Sequence, residues 1–192
     1  MIFSNAAPWV APHGGTEGRF GTNPICFGFP CGDEPVIWDI GTSEIIHAQV
    51  KLAQRLGQDL PNGVAFDSDG APTTDPGAAL GGAFVSWGGH KGSGLAMMVQ
   101  LFGMMAGSAH LPDDISGFGM VLVAAKPDLL RPAEEFEAEV AAYRDAVHNT
   151  RPVEGGAPVR MPFDRSRRDR DAVLKRGWIE IPDEIHTRLL EI

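Results

Sequence analysis

The most informative stretch of the chain reads Gly88-Gly89-His90-Lys91-Gly92-Ser93-Gly94 and leads directly into the apolar run Leu95 to Met105. A glycine-rich turn before a helix leaves backbone N–H groups open at the positive end of the helix dipole, which favours an anion such as a cofactor pyrophosphate. Lys91 adds a mobile positive charge there. The stretch therefore predicts an anion site at a helix start, with a close-packed turn before a buried helix as the plainer alternative.

The spacing of this stretch differs from two common phosphate-binding motifs. Lys91 is followed by Gly92, whereas a P-loop places Ser or Thr after its lysine. No Gly-x-Gly-x-x-Gly follows a strand, so the standard dinucleotide fingerprint is absent as well. A phosphate-binding hydrolase built on the lysine turn remains the least supported alternative, because no metal-ligand or nucleotide-base motif accompanies it.

Composition and charge exclude several classes of protein. The 192 residues are 43% hydrophobic and 21% charged, which is ordinary for one compact globular domain or slightly more. The net charge of −9 argues against nucleic-acid binding. No apolar run is long enough to span a membrane, and no secretion signal stands at the N-terminus, so we expect a cytoplasmic protein. Cys26 and Cys31 have no second pair, so we expect no metal site.

Predicted strands and helices alternate along most of the chain, which favours an α/β fold. A helix is expected from Glu44 to Leu56, capped by Thr42 or Ser43. The run Met120 to Ala125 is apolar on both faces and predicts a central strand. The remaining predicted strands are 36–38, 159–161 and 178–181. A short helix is expected to follow a cap at 73–75 and to end at residue 80, and further helices are expected over 133–147, 167–176 and 183–191.

Four segments in order resemble motifs of the malate/L-lactate dehydrogenase-type family, which includes sulfolactate, ureidoglycolate and imino-acid oxidoreductases. They are Gly21-Thr22-Asn23-Pro24, Trp38-Asp39-Ile40-Gly41-Thr42, Pro72-Thr73-Thr74-Asp75-Pro76 and His90-Lys91-Gly92-Ser93-Gly94-Leu95. The opening Asn5-Ala6-Ala7-Pro8 is similar to the family's segment before Gly-Thr-Asn-Pro. Because several motifs keep their order and approximate spacing, the resemblance is specific.

The resemblance implies a non-Rossmann α/β dinucleotide-binding fold with a mixed sheet, usually found as a homodimer, and NAD or NADP as cofactor. Residues 1–125 would form the cofactor-binding core, and residues 126–192 would complete the same fold. Ala6, the segment Asp39-Ile40-Gly41 and the pair Lys91-Gly92 match positions that contact the cofactor in the family. Asp39 is also the candidate catalytic residue, a buried carboxylate that orients a histidine. The alternative role for Asp39 is that of an ordinary helix cap.

Family members carry a substantial region before the point that aligns with Met1, and that region holds the catalytic histidine. We therefore expect this chain to be the C-terminal portion of an oxidoreductase that moves a hydride between NAD(P) and a small 2-hydroxy or 2-oxo acid such as malate or lactate. The substrate-binding residues are not assigned. The partner would be a second copy or a full-length subunit, with no nucleic acid and no membrane. The rival hypothesis is a non-catalytic remnant that retains cofactor binding or dimerisation only.

Overall fold

The computed structural model describes residues 1–32, 34–113 and 116–191. Within these residues the chain forms seven β-strands, six α-helices and one 3-10 helix at Pro127–Leu129. The strands are β1 Ile2–Ser4, β2 Val10–Ala11, β3 Ile25–Phe29, β4 Val36–Ile40, β5 Ala65–Phe66, β6 Ala83–Val85 and β7 Met120–Leu122. The helices are α1 His47–Leu56, α2 Pro76–Gly81, α3 Gly89–Met105, α4 Ala133–His148, α5 Asp164–Arg176 and α6 Asp183–Leu189.

The chain divides into two compact units. The first unit contains Met1–Phe27 and Asp39–Ala124, and the second joins Gly28–Trp38 to the chain from Ala125 onward. All six residues that the sequence nominates as cofactor contacts belong to the first unit. The assignment of cofactor binding to residues 1–125 stays a prediction.

Two small sheets organise the strands. The four-stranded sheet has the order β4-β3-β1-β7, and β1 pairs antiparallel with both β3 and β7. The three-stranded sheet has the order β2-β6-β5, in which β2 pairs parallel and β5 antiparallel with β6. The second sheet is therefore mixed, and the predicted α/β class with a mixed sheet is confirmed.

Two apolar clusters form the core of the first unit. The larger cluster is built around Val10, Phe20, Val50 and Phe84, and the buried residue Ala96 of α3 belongs to it. The smaller cluster lies between β1, β3 and α3 and consists of Phe3, Ile25 and Val99. Helix α3 therefore contributes to both clusters.

The helix boundaries correct two predictions. Helix α1 begins at His47, not at Glu44, because the Glu44 N–H donates to the Val85 carbonyl and Ser43 forms a bridge with Ser86. Its first turn is closed by the Gln49 side chain, which accepts from the Ile46 N–H at 3.1 Å. The predicted caps were therefore wrong. The predicted cap of α2 is confirmed, since the Asp75 carboxylate accepts from the Ala78 N–H at 2.6 Å.

The strand predictions near the C-terminus are also corrected. Strand β7 stops at Leu122 and lies at the end of the four-stranded sheet, so the expected central strand over 120–125 is wrong. Its apolar side chains are exposed or half-buried instead of covered on both faces. The described residues 159–161 and 178–181 form no strand.

Apolar side chains are exposed on two neighbouring elements of the first unit, α3 and β7. Helix α3 exposes Met97, Met98, Leu101, Met104 and Met105, and β7 exposes Met120 and Leu122. We call these seven residues the methionine face. The expectation of a wholly buried helix after residue 94 is therefore wrong for one side of α3. No helix among the described residues combines the length and the apolar character needed to cross a membrane.

The second unit is held largely by polar contacts. The His148 Nε2 and Asp164 Oδ2 atoms are 2.7 Å apart and join the end of α4 to the start of α5. The Arg167 guanidinium donates to the Glu34 carboxylate at 2.5 Å and to the Pro35 carbonyl at 3.0 Å. Within α4, α5 and α6 no described residue is buried.

Two glycines of α3 give a matched test of how tightly this helix packs. A Cβ at Gly103 would overlap the side chain of Asn5, which cannot yield because it accepts from the Gly119 N–H at 2.7 Å and donates to Ser108 Oγ at 2.6 Å. We expect Gly103→Ala to lower the free energy of unfolding by about 1–3 kcal/mol. A Cβ at Gly94 meets nothing within 4 Å. Gly94→Ala should raise stability by up to about 1 kcal/mol. Urea unfolding measures both, and an equal loss in the two variants would contradict this packing.

The half-buried His47 predicts a pH dependence of folding. The rings of His47 and Trp9 stack with centroids 4.0 Å apart. Burial, together with the nearby positive charge of Lys51, lowers the pKa of His47 below its usual 6.5. Between the lowered pKa and 6.5 the unfolded chain binds more protons than the folded one, so stability falls as the pH drops through that window.

The measurement is the free energy of unfolding of wild type and His47→Gln from about pH 7.5 to about pH 5. The wild type should lose more stability than the variant over this range. His186→Gln, which changes an exposed histidine of α6, is the control and should follow the wild type. Parallel pH profiles for wild type and His47→Gln would exclude this role.

Candidate functional site

The glycine-rich stretch forms the first turns of α3, not a loop in front of it. The helix starts at Gly89 after the N-cap Gly88, and both residues have left-handed backbone angles, with φ of 66° and 60° for Gly88 and Gly89. Such angles cost glycine little, which explains the residue type at these two positions. No described side chain caps this helix start. The backbone N–H groups of the first turn are therefore not satisfied by a capping side chain, as an anion site requires.

Lys91 and Gly92 occupy different environments within this first turn. Lys91 is exposed, whereas Gly92 is buried. A Cβ at Gly92 would overlap the carbonyl oxygen of Trp87, so only glycine allows the helix to start so close to the preceding strand. The first turn of α3 therefore has the features of both predictions, the anion site and the close-packed turn. Lys91 faces outward beside the open amides, while Gly92 provides the close packing.

Thr42 joins the segment after β4 to the start of α3. Its N–H donates to the Thr22 carbonyl at 2.9 Å, and its Oγ1 lies 3.2 Å from the same oxygen and 3.3 Å from the Asn23 carbonyl. Its own carbonyl accepts from the Trp87 N–H at 2.9 Å. Because Thr42 follows Gly41 and Trp87 precedes α3, these bonds hold two of the predicted cofactor segments together.

Asn23 connects the third predicted segment, Ala6, to this arrangement. The Asn23 side chain is 0% exposed, and its Oδ1 accepts from the Ala6 N–H at 3.2 Å. Its Nδ2 donates to the Ala96 carbonyl at 2.9 Å and to Gln100 Oε1 at 3.0 Å, both on α3. The sequence assigned no role to Asn23 beyond its place in a family-like motif. A buried, fully bonded amide becomes evident only when its distant partners are known.

Asp39 does not have the environment that the sequence predicts. It lies in β4 and is exposed, so the premise of a buried carboxylate is wrong. The alternative role as a helix cap is wrong too, because α1 begins eight residues later, at His47. Ile40 and Gly41 follow it in the chain and are half-buried. An exposed carboxylate two residues before Gly41 remains accessible to a group that another segment supplies.

A cavity of about 400 Å³ lies beside the start of α3. Its lining includes the loop of His13 and Thr16 together with Glu44, Ser86 and Gly89, but none of the six predicted cofactor contacts. The His13 backbone N–H donates to Ser93 Oγ of α3 at 3.0 Å, which fixes this loop against the helix. The sequence assigned no functional role to His13 and nominated Glu44 only as the first residue of a helix.

Comparison with known proteins places this arrangement in context. A family model described as malate/L-lactate dehydrogenase matches residues 1–190. The Delta(1)-pyrroline-2-carboxylate/Delta(1)-piperideine-2-carboxylate reductase of Pseudomonas putida is 37% identical, with 90% of this chain and 52% of that protein aligned. The L-sulfolactate dehydrogenase of Methanocaldococcus jannaschii is 30% identical, with 100% of this chain and 57% of that protein aligned.

A solved structure is similar over nearly the same range. The crystal structure of a dehydrogenase from Sinorhizobium meliloti has a TM-score of 0.91 and 32% sequence identity, and the match covers 99% of this chain and 58% of that chain. The chain therefore spans between 52% and 58% of the length of these three proteins.

Proposed function

Since the chain belongs to the malate/L-lactate dehydrogenase family, we propose that it is the nicotinamide-binding portion of an oxidoreductase that acts on small carboxylic acids. The observation that carries this proposal is the linkage of Ala6, Gly41 and the start of α3 through the hydrogen bonds of Asn23 and Thr42. Three chain segments that are remote in sequence are thereby held in one place. Each of them matches a cofactor-contacting position of the family.

The residues present fit such a cofactor. The open amides at the start of α3 and the Lys91 ammonium suit the negative charge of a phosphate group. Gly41 and Ala6 lack bulky side chains, so their backbones allow close approach of a ligand. A nicotinamide cofactor, when bound, supplies or accepts the hydride. NAD and NADP are both compatible with this set of residues, and the titration described below separates them.

Asp39 is the proposed positioning carboxylate. Its exposure leaves the oxygens available to a histidine from another segment or chain, as the family resemblance implies. A carboxylate that accepts from one ring nitrogen fixes the tautomer and orientation of an imidazole, whose other nitrogen then exchanges a proton with substrate. In this role Asp39 accepts a hydrogen bond from the imidazole and does not itself donate the proton to the substrate.

The proposed substrate is a small acid with a carbonyl or imine carbon next to its carboxylate. The names of the relatives support this class, since they act on pyrroline-2-carboxylate, piperideine-2-carboxylate and sulfolactate. These names favour imino acids and sulfonated hydroxy acids over malate or lactate themselves. The shared chemistry is a hydride moved to or from the carbon in the 2-position.

The rival proposal is a remnant that binds cofactor or a partner chain without catalysis. The observation in its favour is the coverage, because the chain aligns with little more than half of each relative. The two proposals differ in one measurable property, which is turnover by the purified chain. The oxidoreductase and a cofactor-binding remnant both require the cofactor site at the start of α3, whereas a remnant that only pairs with another chain does not.

The cofactor site is tested by titration with NADH and with NADPH, followed by nucleotide fluorescence. We expect saturable binding of at least one nucleotide by the wild type, and a rise of about tenfold in Kd for Lys91→Ala, since a charge-assisted contact is lost. Lys126→Ala removes an equal charge from an exposed position of the second unit and should change the Kd less than about twofold. Equal effects of the two variants on the Kd would show that Lys91 makes no specific contribution to nucleotide binding.

The same preparation is then assayed for turnover with pyruvate, oxaloacetate and Delta(1)-piperideine-2-carboxylate. Turnover of any of them would exclude the remnant. Binding without turnover supports the remnant or a chain that needs a partner for its histidine. Failure of both nucleotides to bind contradicts the proposed cofactor site.

We also propose that the protein pairs with a second copy or with a longer subunit through the methionine face. Groups of exposed apolar side chains on one surface often mark interaction sites. Methionine is enriched at interfaces because its flexible side chain adapts to a partner. Light scattering should give the mass of two chains, and Met98→Glu should shift it toward one. A monomeric wild type at high concentration would contradict pairing with a second copy.

A further inference from the structure

Asn23 combines two properties that rarely occur together in a residue without a role in a site. Its backbone has a positive φ of 30°, and its side chain is completely buried. Asparagine tolerates such angles better than most residues, although glycine would adopt them at least as readily. The backbone alone therefore does not explain why an amide stands here.

The side-chain amide of Asn23 uses both of its donors and its acceptor. Its Oδ1 accepts a hydrogen bond from the Ala6 N–H, and its Nδ2 donates to the Ala96 carbonyl and to Gln100 Oε1. Gln100 in turn bonds to the segment after α3, since its Nε2 donates to the His110 carbonyl at 3.0 Å. One planar group thus fixes the distance between the segment after β1 and the body of α3.

The main chain of the same residue fixes the remaining segment. The Asn23 carbonyl and the neighbouring Thr22 carbonyl both lie within hydrogen-bond distance of the Thr42 hydroxyl. Thr42 is 0% exposed and directly follows Gly41. A change at Asn23 is therefore transmitted to three places at once, namely Ala6, Gly41 and α3.

We propose that Asn23 is a positioning residue of the nucleotide site, acting through Ala6, Gly41 and α3 without touching the nucleotide itself. This inference rests on the proposed function. A nucleotide that contacts all three segments binds only when their spacing is correct. The Asn23 amide sets the spacing of Ala6 and α3, and the Asn23 main-chain carbonyl contributes to the position of the Gly41 segment through Thr42. Loss of the amide weakens nucleotide binding by more than the accompanying loss of stability explains.

The decisive variant is Asn23→Gly, which permits the positive backbone angle and retains the main-chain carbonyl that faces Thr42 but removes the side chain with its amide. We expect it to raise the Kd for NADH or NADPH by about tenfold, since three hydrogen bonds that set the site are lost. Gln100→Met is a milder second variant that removes one acceptor of the amide, and it should raise the Kd by about threefold. Binding is measured at a temperature where unfolding curves show every variant to be folded.

The matched control is Leu60→Ala, which removes a residue of the larger apolar cluster in the loop after α1. It should lower the melting temperature at least as much as Asn23→Gly and leave the Kd within about twofold of wild type. This comparison separates a positioning role from a general loss of stability.

The outcomes separate this inference from the proposed function. If the wild type binds a nucleotide and Asn23→Gly binds it equally well, the positioning role is overturned and the proposed function stands. If Leu60→Ala weakens binding as much as Asn23→Gly, the effect is one of stability and the positioning role is again overturned. If the wild type binds neither nucleotide, the proposed function and this inference fail together.

Discussion

Polar groups that are buried away from water have to find partners inside the protein, and this requirement shapes the first unit more than any single apolar contact. Asn5, Asn23, Thr42 and Gln100 are all buried, and the partners of each lie on other segments of the chain. Among the described residues no buried side-chain nitrogen or oxygen lacks a partner. Because each bond is directional, the segments that supply these partners have few alternative positions. A hydrophobic core alone would tolerate more variation in spacing.

This requirement also explains which features could be predicted from the sequence. Local signals were sufficient where structure depends on neighbours in the chain, as in the Asp75 cap of α2 and the left-handed glycines that end α1 and α5, Gly57 and Gly177. They failed at the start of α1, since Glu44 bonds to Val85, more than forty residues away. The same limit applies to the site. Lys91 and Gly92 were nominated from the glycine-rich stretch and the family resemblance, whereas the hydrogen bonds of Asn23 to Ala96 and Gln100 join residues far apart in the sequence.

The apolar run after residue 119 illustrates a different limit. A strand with apolar residues on both faces is usually covered on both sides, and Met120 to Leu122 fits that composition. The sequence contains no information on which neighbours are present to cover it. More than two fifths of each of these relatives lies outside the part that aligns with this chain. An apolar strand of the kind that is usually covered is compatible with the additional chain that those proteins contain. The second unit shows the same feature, since the apolar residues Phe136 and Val140 of α4 are only half-buried.

The methionine face has a chemical consequence wherever no partner covers it. Accessible thioether sulfurs are oxidised to sulfoxides, which are polar and chiral and no longer pack as aliphatic groups do. Met97, Met98, Met104, Met105 and Met120 are exposed and therefore open to this oxidation, whereas Leu101 and Leu122 of the same face carry no sulfur. The surface would then become hydrophilic in steps without any change of backbone. Since methionine sulfoxide reductases reverse the reaction, its apolar character depends on the redox balance of its surroundings.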